Sequence, residues 1–135
     1  LLDTLPDAVP HAYTALNAAF LGDGCCVRFA RNAVCDDPIH IVFVASGAPH
    51  SAVQPRVLVV AEEGSQGTVI ESYGVSGSGP YFVNAVSEYV LGPNAHIRGY
   101  KMVREGVSGH HLATQRVRQD RDSSYRSYVF NLGGV

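Results

Sequence analysis

The chain has no tryptophan and a single methionine among its 135 residues. Charged residues make up only 16% and nearly cancel, for a formal net charge of −2. That balance argues against a dedicated nucleic-acid binder, which carries a basic surplus to neutralise phosphates. Long apolar runs are missing as well. No stretch approaches the ~20 residues that a helix needs to cross a bilayer. No basic start, apolar core and small-residue cleavage site marks a secretory signal. Cysteine is scarce and odd in number: Cys25, Cys26 and Cys35. That favours free thiols in a reducing compartment over a disulfide framework. The first residues are Leu1-Leu2 rather than Met, so a fragment of a longer protein is expected.

What is present reads as β. Hydrophobic residues reach 46%, enough for one packed domain with a modest core. A loop over residues 1–10 and then one short helix are expected early, in an N-terminal segment of residues 1–24. Pro10 suits a first helical turn. Ala12, Leu16, Ala19 and Phe20 follow at 3.6-residue spacing, with Gly22 as the stop. Residues 25–135 are expected to form the β core. Cys25–Ala30 and Ile39–Ala45 read as strands, parted by Asn32 and the Asp36-Asp37-Pro38 turn. Residues 46–54 read as a loop. Then come Arg56–Ala61, Thr68–Val75, Tyr81–Leu91, His96–Arg104, His110–Arg118 and Tyr125–Leu132, broken only by short turn-forming clusters.

An internal repeat accompanies these strands. Gly64, Gly92 and Asp120 recur at a constant offset of 28. At that offset Ala61, Tyr89 and Val117 coincide. So do the small residues Gly67, Ala95 and Ser123, and the apolar Val69, Ile97 and Tyr125. Gly77, Glu105 and Gly133 mark a second turn in each unit. A strand–turn–strand–turn repeat suggests a β-solenoid whose coils stack, with Val69, Ile97 and Tyr125 aligned in a shared core. A β-sandwich of successive hairpins is the alternative.

The candidate chemistry is sparse. Adjacent strand residues point to opposite faces, so Cys25 and Cys26 do not easily share a metal site, and no C-x-x-C is present. The same geometry separates His110 from His111. His40, His96 and His110 could meet only through the fold. Glu62, Glu63, Asp120 and Asp122 fall in turns, where acids are ordinary solvated residues. Arg116-Val117-Arg118 and Arg121-Asp122 read as a solvated face. Gly64-Ser65-Gln66-Gly67 lacks the Lys-Ser/Thr of a P-loop.

Several segments taken together look familiar. They run in order: Ala15-Leu16-Asn17-Ala18-Ala19-Phe20, Pro55 to Ser65, Val69-Ile70-Glu71-Ser72-Tyr73, Phe82 to Glu88, and Gly92-Pro93-Asn94-Ala95. His110-His111-Leu112 and Phe130-Asn131-Leu132-Gly133-Gly134 close the set. As an ordered set they resemble the SufB/SufD family of iron–sulfur cluster assembly proteins. The likeness is to the SufD branch more than to SufB, whose members tend to carry a tryptophan-containing segment. The resemblance implies a right-handed parallel β-helix, truncated here. It implies a non-catalytic scaffold role, pairing with SufB and with the ATPase SufC, in cytoplasm or plastid stroma. It implies no catalytic, cofactor-binding or metal-binding residue in this chain. The family's pairing and cluster-related positions lie beyond Val135, and Cys25, Cys26 and Cys35 are not among them; ATP belongs to SufC. An early end would leave strand edges unpaired, and a second copy of the chain is expected to cover them.

Two rivals differ in kind. A β-helix polysaccharide lyase or hydrolase would line a groove with Glu71, Glu88 or Asp120, clustered with Lys or Arg on one exposed strand face. A β-sandwich binding module would pair its strands antiparallel.

Overall fold

The computed structural model describes residues 11–45, 50–77 and 79–133. The loop expected at residues 1–10 lies outside the described residues. Among these residues a helix, α1 (Ala12–Ala19), precedes nine strands. They are β1 (Gly24–Phe29), β2 (Ile39–Ala45), β3 (Ser51–Val53), β4 (Arg56–Ala61), β5 (Gln66–Val75), β6 (Tyr81–Leu91), β7 (His96–Arg104), β8 (Gly109–Gln119) and β9 (Ser124–Asn131). The pairings between these strands are all parallel. The chain is a β-solenoid of about three turns. The first sheet stacks β1, β4, β6 and β8, with β3 also on β6, and the second stacks β2, β5, β7 and β9. Parallel rungs rule out the antiparallel sandwich.

Strand parity builds the core. Val57, Val59 and Ala61 on β4 alternate inward, as do Tyr89 and Leu91 on β6. They meet Ile41, Val69 and Ile97 from the facing sheet in one apolar cluster. Two inward glycines make room for aromatic rings. A Cβ at Gly67 would overlap the Phe29 ring, and one at Gly99 would overlap Tyr125. Glycine in a strand interior marks this kind of close approach.

The corner between the sheets repeats four times. Asn32, Gly64, Asn94 and Asp122 all sit in the left-handed region, at φ 58°, 69°, 57° and 58°. Only Gly, Asn and Asp visit that region cheaply. Each turn closes on itself, as in Ser65 N–H to Glu62 O at 3.1 Å and Ala95 N–H to Gly92 O at 3.2 Å. The first three are also tied to the next coil. Asn32 N–H donates to Glu63 O at 2.9 Å, Gly64 N–H to Pro93 O at 2.9 Å and Asn94 N–H to Arg121 O at 3.0 Å.

The single offset of 28 is corrected. β5 pairs with β7 at an offset of 30, so Val69 faces Gly99 and Ile97 faces Gly67. β4 pairs with β6 at 30 as well, so Ala61 faces Leu91. Only β6–β8 and β7–β9 run at 28, aligning Tyr89 with Val117 and Ile97 with Tyr125. Gly64 therefore stacks with Asn94 and Asp122, not with Gly92 and Asp120. The cause is the second corner. Residues 75–80 lie between the paired positions Gly74 and Tyr81, but only residues 105–108 lie between their partners Arg104 and Gly109.

Two further corrections concern the early chain. Of the loop expected at residues 46–54, residues 46–49 lie outside the described residues and the rest contains β3, which extends the β4 row over Tyr81–Val83 of β6. Helix α1 forms where the spacing predicts it, but Leu16 and Phe20 stay exposed and Asn17 is its buried residue. The reason is the break at Gln54-Pro55 between β3 and β4, where proline supplies no N–H. Asn17 Nδ2 donates to Pro55 O at 3.1 Å and to Asn84 O at 2.8 Å. Asn84 Nδ2 donates in turn to Tyr13 O at 2.8 Å and Gln54 Oε1 at 2.7 Å. The helix is clamped on the Asn84 carbonyl, to which Pro55 has no N–H to donate, and on the Pro55 carbonyl, which also accepts from Val86 N–H at 3.1 Å.

Candidate functional site

The inward positions of β5 and β7 break the apolar pattern at one rung. Glu71 and Lys101 are direct cross-strand partners, both facing the lumen, 1% and 5% exposed. The Lys101 ammonium lies 3.3 Å from Glu71 Oε2 and donates to Ser87 Oγ at 3.1 Å. Ser87 Oγ donates to the same carboxylate oxygen at 2.7 Å, as does the Tyr73 hydroxyl at 2.8 Å. Tyr89 donates to Glu71 Oε1 at 2.7 Å. Lys101 also sits 5.5 Å from the Tyr73 ring centroid, within cation–π range. A buried charge persists only when it is paired and hydrogen-bonded, and Glu71 meets both conditions.

The network continues along the lumen. Tyr89 packs against Tyr125 with ring centroids 4.6 Å apart, and Gln115 Nε2 donates to the Tyr125 hydroxyl. In the other direction Tyr73 meets His111 edge to face at 4.9 Å. His111 Nδ1 lies 2.8 Å from Glu105 Oε1, while His111 Nε2 and Glu105 Oε2 have no partner among the described residues. Burial first, and the Glu71 charge second, hold the Tyr73 and Tyr89 phenols far above the ordinary tyrosine range. An unfolded chain ionises tyrosine near pH ~10; the folded chain keeps these two protonated. Their contribution to stability is therefore complete below about pH 10 and falls as pH rises above it. The buried tyrosines are expected to ionise in one cooperative step that coincides with loss of the far-ultraviolet β signal. Phenolate absorbance rising smoothly to completion while circular dichroism stays unchanged would contradict their burial.

The first sheet carries a second charged cluster on its outward side. Glu88 is 2% exposed and accepts from Arg56 Nη2 at 2.9 Å and Arg116 Nη1 at 3.0 Å. The solvated face expected at Arg116 is thus corrected, because that side chain is 14% exposed and closes the triad. The residues of the polysaccharide-groove reading do not share a face. Glu71 points into the lumen, Glu88 points away from it, and Asp120 sits in an exposed turn.

The remaining candidates separate as strand parity requires. Cys25 is half-buried against the core and Cys26 is exposed. Burial, then Cys26 and Asp23, pushes the Cys25 thiol up. His110 is exposed while His111 faces the lumen. His40 and His96 lie on the outer face of the second sheet, each against a serine: Ser72 at 2.8 Å and Ser124 at 2.7 Å. His110 belongs to the first sheet, so the three do not converge. Among the described residues no group of three or more His, Cys, Asp or Glu is placed to hold a metal. Glu62 and Glu63 remain turn residues, paired with Arg28 and Arg31. The Arg28 hydrogen bond, then the Arg31 backbone N–H, holds the Glu62 carboxyl below the usual range. Lys101 escaped the sequence reading, although it shares parity with Ile97 and Val103, both core residues.

Comparison with known proteins agrees with this architecture. The SUF system FeS cluster assembly SufBD core domain matches residues 43–135, from the end of β2 through β9. An iron–sulfur cluster assembly SufBD family protein of Synechocystis is 36% identical over 132 residues, covering 91% of this chain and 29% of that protein. Protein ABCI7, chloroplastic, of Arabidopsis thaliana is 32% identical over 81 residues, covering 59% of this chain and 17% of its own. The iron–sulfur cluster assembly protein SufD of Bacillus subtilis is 33% identical over 89 residues, covering 64% and 20%. The chain thus spans less than a third of the length of these curated relatives. No solved structure matches it. With stacked parallel coils and a family match over most of its length, the chain belongs to the SufBD core family of the SUF iron–sulfur cluster assembly system.

Proposed function

We propose that this chain is part of a scaffold subunit of the SUF assembly complex, without catalytic turnover of its own. The observation that carries the reading is the family match over residues 43–135, coextensive with most of the stacked coils. The lumen is consistent with it: the Glu71 carboxylate spends its acceptors on Tyr73, Ser87, Tyr89 and Lys101 and leaves no open position for a substrate. A general base needs reach to the proton it takes, and a carboxylate 1% exposed has none. On this reading the full-length parent pairs with a SufB-like subunit and a SufC-like ATPase. Nascent clusters are the cargo of the whole complex, ATP stays with the ATPase, and these residues hold no resident cofactor. The setting is cytoplasm or plastid stroma. Among the described residues no helix is long and apolar enough to cross a membrane.

The test is co-purification of the tagged full-length parent with SufB-like and SufC-like proteins of the same organism. Both are expected in near-stoichiometric amounts. Recovery of neither from a soluble, folded bait would defeat the proposal.

A further inference from the structure

The outer face of the second sheet takes no part in the lumen network. Along β7 the outward residues after His96 are Arg98, Tyr100, Met102 and Arg104. On β9 they are matched by Arg126, Tyr128 and Phe130, with Arg98 opposite Arg126, Tyr100 opposite Tyr128 and Met102 opposite Phe130. The two tyrosine rings stack, with centroids 4.9 Å apart and planes 14° apart. Apolar surface is left open to solvent: Phe130 is 45% exposed and Val42, on the far strand β2, 58%. Both exceed what a buried sheet face would leave uncovered.

Charge on this face has one sign. The outward positions of β2, β5, β7 and β9 include Arg98, Arg104 and Arg126 and no Asp or Glu. None of these three arginines makes an ion pair within the described residues. At one end a groove of about 420 Å³ is lined by Thr68, His96, Arg98, Ser124 and Arg126 and by Asp36 of the connection before β2. The dimensions suit one helix. Four strands at ~4.8 Å spacing span about 14 Å, against a helix diameter of ~10–12 Å. Arg98 and Arg104 are six residues apart on one strand, about 20 Å, the length of a helix of about 13 residues. A nucleic acid fits less well, because the surface between the arginines is apolar and the whole chain is net negative.

We propose that this face docks an acidic amphipathic helix of a partner protein. Its carboxylates would meet Arg98, Arg104 and Arg126, and its apolar stripe would cover Tyr100, Met102, Tyr128 and Phe130. Helix-on-sheet layering buries the apolar side of both elements. Opposite charge at the rim governs encounter rate and choice of partner. The inference does not rest on the assembly role, and its failure leaves family membership untouched.

The test uses the full-length parent protein and a fluorescent synthetic helical peptide with Glu near both ends and a Leu/Phe stripe. Four helical turns, about 14 residues, give it the reach of the arginine pair. A scrambled isomer and a Lys-for-Glu version serve as comparisons. Fluorescence anisotropy is expected to show the acidic peptide binding at least tenfold tighter than either, with affinity falling as salt rises. The R98E/R126E variant is expected to lose at least tenfold toward the acidic peptide and to gain toward the Lys version. R98Q/R126Q, which removes charge from exposed side chains without reversing it, is expected to weaken binding to a lesser degree; circular dichroism checks both folds. Equal binding of acidic and scrambled peptides, or indifference to both variants, overturns the proposal. Tighter binding to phosphatidylglycerol vesicles or to single-stranded DNA than to the peptide overturns it in favour of those surfaces. Self-association abolished by R98E/R126E would show that a second copy is the occupant instead.

Discussion

Replacing Lys101 with methionine is expected to destabilise the folded chain by about 3–5 kcal/mol, because the change strands the Glu71 carboxylate in the lumen. Methionine keeps most of the lysine's length, so little packing is lost and the effect reports charge. Glu71 would retain its hydroxyl donors, Tyr73, Ser87 and Tyr89, but no cation. The E71Q/K101M double variant separates the two contributions. A glutamine carries no charge; its oxygen can accept from one tyrosine while its NH2 donates to the hydroxyl oxygen of the other, so the double variant should recover most of the loss. Urea unfolding followed by circular dichroism measures all three chains, with an unchanged slope confirming that the same surface is exposed. If K101M unfolds within about 1 kcal/mol of the parent, the ion pair is not what holds this rung.

The Glu88 triad should respond as strongly and more asymmetrically. Glu88→Ala removes the shared acceptor and leaves the Arg56 guanidinium, 3% exposed, without a carboxylate. A loss of about 3–5 kcal/mol is expected. Arg116→Ala should cost clearly less, since Arg56 remains on Glu88 at 2.9 Å and Arg116 is the more exposed of the two arginines. Converting all three positions to apolar residues of similar size is expected to come out near neutral, as buried ion pairs replaced whole often do. Equal losses for E88A and R116A would mean that the buried Arg56 pair adds nothing beyond the Arg116 pair, against the burial seen here.

Both networks show why the inside of this protein was harder to read than its outline. The run His96-Ile97-Arg98-Gly99-Tyr100-Lys101-Met102-Val103 alternates cleanly, and its parity already assigns Lys101 to the side of Ile97 and Val103. Charge argued the other way, because lysine is almost never buried unless paired. Its pair, Glu71, lies a full coil earlier in the chain. No local pattern connects the two. Asn17 is a similar case. The spacing of Leu16 and Phe20 pointed to an apolar helix face, yet the anchor is an amide that answers the carbonyls of Pro55 and Asn84, far along the chain. Arg116 read as solvated because its partner Glu88 also belongs to the preceding coil.

The amino-acid order by itself determined that the chain is built of strands, which side chains of each strand share a face, and where the tight corners fall. Those properties are local: alternation follows from the extended backbone, and left-handed corners demand Gly, Asn or Asp where they occur. Which rung lies on which was decided only by the assembled solenoid. Sliding a strand by two residues returns every side chain to the same face, so offsets of 28 and 30 bury the same pattern equally well. The length of a single corner, residues 75–80 against 105–108, chooses between them. It is that choice which sets Glu71 beside Lys101.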